Sequence, residues 1–383
     1  MDIEQRHWLP GTPWPPAATP AALAQSAQLL LAFGGTELLD PARFQALREL
    51  YPGALIVGCS TAGEILGTAV ADNTLALTAI RFADTRLHLA TARVAAPAES
   101  RLAGEALARQ LPADGLVHVL VISDGLKVNG TDLVDGLKSA LSERVVVTGG
   151  LSGDGARFQR TLVMADAAPA EGVIAAIGLY GEHLQVGYGS LGGWDPFGPD
   201  RLITRARGNV LHELDGESAL ALYKRYLGEH AAGLPATGLL FPLALRAAPG
   251  SAPGTPGLVR TILSVNEAEQ SMTFAGDMPE GMYARLMKAN FDRLIAGASG
   301  AAQASQEILG GVPPQLALLI SCVGRKLVLQ QRIEEEVESV REVLGPAAVL
   351  TGFYSYGEIS PYAPTAKCEL HNQTMTITTF AET

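Results

Sequence analysis

Residues 58–65 read GCSTAGEI and residues 352–359 read GFYSYGEI. The two octapeptides share a first Gly and a closing Gly-Glu-Ile at the same spacing. Each follows a short apolar run, ALIV at 54–57 and AVLT at 348–351. An apolar run bounded by Gly reads as a buried strand. A Gly-rich loop at the carboxyl end of such a strand lies where open α/β sheets collect ligands. GGLSGDG at 149–155, after RVVVT, is a looser third copy.

Outward from these loops the order of elements repeats. LLLAF at 29–33 reads as a strand, and Asp40 before Pro41 reads as a helix N-cap with a first-turn proline. That helix runs through Leu50, so strand, helix and strand form a βαβ unit. A helix over 98–110, the strand LVHVLVIS ending at Ser123, a helix starting near Thr131 and the strand RVVVT follow. In the second half a helix over 281–296, the strand LALLISC, a helix over about 328–343 and AVLT give the same order. A last strand, ELHNQTMTITTF, closes the chain. The expectation is an α/β protein of two related mixed α/β halves with Gly-rich loops at strand ends. Structure is expected to begin near Gln28, with halves at 28–200 and 201–383. The Gly/Pro-rich stretch GSLGGWDPFGPD (189–200) marks the crossing, and residues 247–257 read as an exposed loop.

Composition narrows the function. The chain has 383 residues, 48% hydrophobic and 17% charged, enough to bury a sizeable core. Its formal net charge of −11 carries no basic stripe, which argues against nucleic acid and anionic membrane surfaces as partners. No apolar run reaches the roughly 20 residues of a membrane span. The N-terminus MDIEQRHWLP does not read as a secretory signal. Three scattered cysteines, Cys59, Cys322 and Cys368, fit a reducing cytoplasm.

Within the loops, Ser60, Thr61, Gly63, Glu64, Gly352, Ser355, Gly357 and Glu358 are the candidate ligand-binding residues. The glycines let a ligand approach the backbone, the hydroxyls offer hydrogen bonds, and the glutamates offer acceptors for an ammonium or guanidinium. The alternative is that the glycines only shape turns and the glutamates cap them. Cys59 stands where a nucleophile can stand, yet no base accompanies it in a recognisable pattern. Phosphate-loop, dinucleotide and His-Glu-x-x-His patterns are absent from the sequence. His118 reads as a core residue within its strand.

GCSTAGEI, TGGLSGDG, GNVLHELDGESALALYKRYLGEH, LLFPL, SCVGR and GFYSYGEI together resemble the paired FIST N and FIST C domains, from about residue 28 onward. The resemblance implies an intracellular, cytoplasmic sensory protein rather than an enzyme, binding a small ligand such as an amino acid. Its output would go to a separate histidine kinase or cyclic-di-GMP enzyme. GGWDPFGPDRLITRARGNVL, YLGEHAAGLPATGLLFPL and CELHNQTMTIT further resemble the nitric-oxide-sensing branch. That likeness implies noncovalent haem b with an axial histidine. His371, His230 and His183 are the candidates in that order, and His212 stands where Tyr is expected. Three readings follow: a haem-based nitric oxide sensor, a sensor of a small polar ligand, or a Cys59-dependent enzyme.

Overall fold

The computed structural model describes residues 1–12, 21–247, 258–361 and 367–383. Its first unit is β1 (Asp2–Trp8), β2 (Leu29–Gly34), α1 (Pro41–Leu50), β3 (Leu55–Ser60), the short hairpin β4 (Glu64–Leu66) and β5 (Ala69–Ala71), and β6 (Leu75–Arg81). The second is β7 (Arg86–Arg93), α2 (Ser100–Gln110), β8 (Leu116–Ser123), α3 (Gly130–Ala140), β9 (Val146–Leu151), β10 (Val163–Ala165) and β11 (Val173–Tyr180). The third opens with β12 (Leu184–Leu191). An insertion follows, made of β13 (Trp194–Arg207), β14 (Val210–Leu214), β15 (Glu217–Ser218), α4 (Ala219–Leu227), β16 (Leu243–Arg246), β17 (Leu258–Arg260), β18 (Ile262–Asn266), β19 (Ser271–Phe274) and β20 (Tyr283–Ala289). The third unit resumes with α5 (Phe291–Ile308), β21 (Leu316–Cys322), α6 (Val323–Leu329), α7 (Ile333–Leu344), β22 (Val349–Ser355), β23 (Gly357–Pro361), β24 (Cys368–His371) and β25 (Met375–Glu382).

One plan governs all three units. Two parallel strands lie side by side, β2 with β3, β8 with β9 and β21 with β22. The closing strand, β6, β11 or β25, runs antiparallel against the first of the pair. The opening strand, β1, β7 or β12, runs antiparallel beyond it. The protein is therefore mixed α/β with related halves, and its N-terminal half holds the unit twice.

The free edge of each parallel pair is covered by a segment from another unit. β4, from the first unit, pairs with β22 of the third. β23, from the third, pairs with β9 of the second. β10, from the second, pairs with β3 of the first. The register is the same each time, with Glu64 opposite Phe353, Glu358 opposite Gly150 and Val163 opposite Cys59. This cyclic exchange leaves none of the three pairs with an open edge on that side.

The first Gly of each loop has a shared physical cause. A Cβ added to Gly58, Gly149 or Gly352 would sit 1.8, 1.9 or 1.8 Å from the carbonyl oxygen of Ala32, Val121 or Leu319 on the neighbouring strand. Only Gly permits that approach. The inner faces of the three sheets meet in one central core that includes Leu31, Phe33, Leu120, Ile122, Leu318 and Phe353. The Phe33 and Phe353 rings lie 4.7 Å apart there. Helices cover the outer faces. In the third unit a buried ion pair joins α6 to α7: Arg325 binds Glu336 through Nε at 2.6 Å, and Tyr354 Oη donates to Glu336 at 2.9 Å. No helix among the described residues is long and apolar enough to cross a membrane.

Several local expectations give way to tertiary pairing. Structure starts at Asp2 rather than near Gln28, because β1 is an edge strand of half-exposed residues with no apolar run to announce it. Position 200, the expected boundary, lies inside β13, which pairs with β20. The helix expected over 281–296 is instead β20, paired on both sides, and then α5, whose N-cap Asn290 accepts from the Arg293 amide. Asn129, not Thr131, caps α3. The last expected strand is broken after His371, where Gln373 takes a φ of 63°. The 247–257 expectation falls, from 248 on, outside the described residues.

Candidate functional site

The three glycine loops meet where the units converge. The Ala62 amide donates to Tyr354 O at 2.8 Å, and the Tyr354 amide donates to Gly63 O at 2.8 Å. The Gly153 amide donates to Ser60 O at 2.9 Å, and the Tyr356 amide to Leu151 O at 3.1 Å. GCSTAGEI and GFYSYGEI are thus brought together, by backbone pairing rather than by facing each other across a cavity.

The two glutamates do the same structural job in their units. Glu64 accepts from Thr61 Oγ1, from the Thr74 amide at 3.0 Å and from Thr74 Oγ1 at 2.8 Å. Glu358 accepts from Ser355 Oγ at 2.6 Å, from the Thr374 amide at 3.3 Å and from Thr374 Oγ1 at 3.0 Å. Each carboxyl pins the turn that precedes its unit's closing strand. Burial raises both above the ordinary carboxylate range, Glu358 to about 8, while these hydrogen bonds pull the other way. Ser60 is also occupied: its Oγ accepts from the Leu162 amide at 2.9 Å.

Beside the first and second loops lies a cavity of about 140 Å³, lined by Thr61, Gly63 and Glu64 together with Asp72, Asn73, Asp154 and Arg157. Asp154 is held by three amides, of Phe158, Gln159 and Arg160, each at 2.9 Å, and by Tyr356 Oη. Arg157 Nη2 donates to Thr36 Oγ1 at 3.2 Å. Asp72 pairs with Lys326 of α6, whose ammonium also donates to Ala62 O at 2.8 Å. The carboxylate of Asp72 and the guanidinium of Arg157 therefore border one small polar space.

The corresponding place in the third unit is roofed by the insertion. Gln373 Nε2 donates to Leu239 O at 3.2 Å, and the Thr261 amide to Asn372 Oδ1 at 3.4 Å. Of the eight residues expected to bind a ligand, Thr61, Gly63 and Glu64 line the cavity. Ser60, Gly352, Ser355, Gly357 and Glu358 lie away from it, in the braced loops. Asp72, Asn73 and Arg157 were not legible as site residues. Asp154 was visible only as part of the looser third copy.

A noncovalent haem needs an axial side chain over an apolar pocket. His371 is buried, and its Nε2 lies 2.9 Å from Ser360 O. Burial lowers its pKa to about 4, so the ring is neutral and Nε2 carries the proton it donates. His230 is exposed in the short turn Gly228–Gly233, its ring 5.4 Å from Phe241. His183 is exposed between β11 and β12. None of the three lines the loop cavity: the His371 ring is committed to Ser360, and His230 and His183 stand on the surface. Cys59 is fully buried in the central core, where burial pushes its thiol well above the ordinary range. A thiol held neutral in apolar surroundings is inert.

The FIST N domain model matches residues 28–217 and the FIST C domain model matches residues 219–361. No curated protein matches the chain. Among solved structures the chain is similar to a crystal structure of cyanuric acid hydrolase from A. caulinodans, at 13% identity over 78% of this chain and 99% of that one. The TM-score is 0.21, too low to carry an argument about fold or chemistry.

Proposed function

The chain belongs to the FIST family, a FIST N domain followed by a FIST C domain, and on that premise we propose that it senses a small zwitterion of amino-acid size in the cavity beside the first and second glycine loops. FIST domains are associated with sensing small ligands in signal transduction. The observation that carries this reading is that Asp72 and Arg157 both line one cavity of about 140 Å³. That volume is well under the roughly 300–1,000 Å³ of drug-sized ligand sites. Asp72 suits an ammonium, and Arg157 offers a planar fork to a carboxylate.

The same residues suggest how occupancy is reported. Lys326 reaches from the C-terminal domain to Asp72 and Ala62 of the N-terminal domain. The Asp72 side chain is 62% exposed, so this pair is weak and readily exchanged. A ligand ammonium at Asp72 competes with Lys326 and biases the position of α6. Only that difference in affinity between the two arrangements shifts the equilibrium. The output is passed, on this reading, to a separate cytoplasmic histidine kinase or cyclic-di-GMP enzyme.

Calorimetric titration with each common amino acid tests the proposal. Saturable binding of at least one is expected, weakened tenfold or more by Arg157→Ala and by Asp72→Asn. No binding at millimolar ligand, or binding indifferent to both substitutions, overturns it.

A further inference from the structure

The three units provide an internal comparison at the turn between each crossover helix and its following strand. In the first unit Arg48 Nη1 donates to Ala54 O at 2.6 Å, and in the third Arg341 Nη1 donates to Gly345 O at 2.8 Å and to Ala348 O at 2.5 Å. An arginine thus ties the helix end to the turn. In the second unit the same helical position holds Lys138, whose ammonium goes to Asp135 at 3.5 Å instead. A cavity of about 610 Å³ opens there, where the second unit meets the donated hairpin β23–β24 and β12.

We infer that this cavity is a second ligand site, for an amphipathic anion: a carboxylate, sulfonate or phosphate head on an apolar body. Val147 and Tyr188, which are 2% and 7% exposed, give it an apolar wall, with the Cys368 thiol beside them. Lys138, Arg144 and Lys367 line it with one acid, Glu143; Asp135, outside the lining, pairs with Lys138, so Arg144 and Lys367 outnumber Glu143. That local excess of positive charge stands on a chain whose formal net charge is −11. Cations concentrated at one apolar hollow of an acidic protein raise the local concentration of anions and repel cations of the same shape. The volume lies within the range of sites that enclose drug-sized ligands, several times that of the loop cavity. The site is independent of the zwitterion reading, since no residue is shared with the loop cavity.

The test uses the full chain and the fluorescent fatty acid 11-(dansylamino)undecanoate. Its emission is expected to rise saturably on mixing and to be displaced by decanoate. Decylamine, the cation of the same length, displaces it at least tenfold less well. The double substitution Lys138→Glu with Arg144→Glu is expected to weaken the probe tenfold or more. Arg101→Glu with Arg109→Glu, an equal double charge reversal on the exposed face of α2, leaves it within twofold. Because both reversals are at partly or fully exposed side chains, unchanged thermal unfolding confirms that each variant is folded; if the double variant is not, Lys138→Ala with Arg144→Ala takes its place. Absence of saturable binding, equal displacement by decanoate and decylamine, or equal effects of the two charge reversals overturns the inference.

Discussion

Glu358→Gln isolates the role of the buried glutamates. Burial holds the Glu358 carboxyl at about 8 against an ordinary 4.5. The folded state therefore keeps a proton that the unfolded chain gives up at lower pH. Stability from this group is full below about 4.5 and is lost progressively as pH rises towards 8. At about 1.36 kcal/mol per pH unit, the span from 4.5 to about 8 amounts to a loss on the order of 5 kcal/mol. Gln is neutral throughout. Its carbonyl can still accept from Thr374, and its amide can donate to Ser355 Oγ, so the geometry survives. Urea unfolding of both proteins at pH 5, 6, 7 and 8 reads the difference directly, because every other titrating group is common to the two. The variant is expected to lie within about 1 kcal/mol of the parent at pH 5 and to gain on it by roughly 1 kcal/mol per unit towards pH 8. Parallel profiles, or a variant that falls behind at high pH, would mean that Glu358 is ionised and held as a carboxylate by Ser355 and Thr374, and the reasoning would fail.

Gly352→Ala places a Cβ against Leu319 O and is expected to cost upwards of about 4 kcal/mol, enough to abolish soluble expression, whereas Gly53→Ala, with open space around it, stays within about 0.5 kcal/mol; equal soluble yields would refute the close-approach argument. Arg325→Met leaves Glu336 buried without its cation and should cost about 3–5 kcal/mol, part of which Arg325→Met with Glu336→Leu recovers in thermal unfolding. His371→Ala is expected to cost about 1–3 kcal/mol through the lost bond to Ser360. The visible absorption of protein from haem-supplied cells should be unchanged by it, and a Soret band that vanishes with this side chain would restore the axial assignment.

The parallel strands and their crossover helices were legible because each carries its own local signal. Asp40 before Pro41 marks α1, and Asp40 Oδ1 does accept from the Arg43 amide at 2.7 Å. The shared Gly-Glu-Ile announced that the loops were equivalent, though not what the glutamates bind. Their donors, Thr74 and Thr374, lie ten and sixteen residues downstream, after the turns Asp72-Asn73 and Asn372-Gln373, and the unequal spacing hides that these turns are equivalent. β20 carries a helical period, and only its pairing on both sides by β13 and β16 overrides it. Arg157 and Asp72 could not be found from sequence. They meet because the first and second loops are bonded to each other, which is a property of the assembled units and of neither segment alone.

The exchange of covering strands also dictates when the protein can finish folding. β4 leaves the ribosome early, but its pairing partner β22 does not exist until residue 355 has been made. At about 5–20 residues per second, the intervening 289 residues (355 less 66) take roughly 15–60 s to synthesise. From residue 151 onward β9 also waits for β23. The nascent chain therefore carries two unsatisfied strand edges for most of its synthesis, and an N-terminal fragment released at the domain boundary would keep them. Such a fragment is a candidate for chaperone capture or edge-to-edge aggregation. Completion of the ring waits for β23, so native structure is reached abruptly once that strand has been made rather than gradually along the preceding chain.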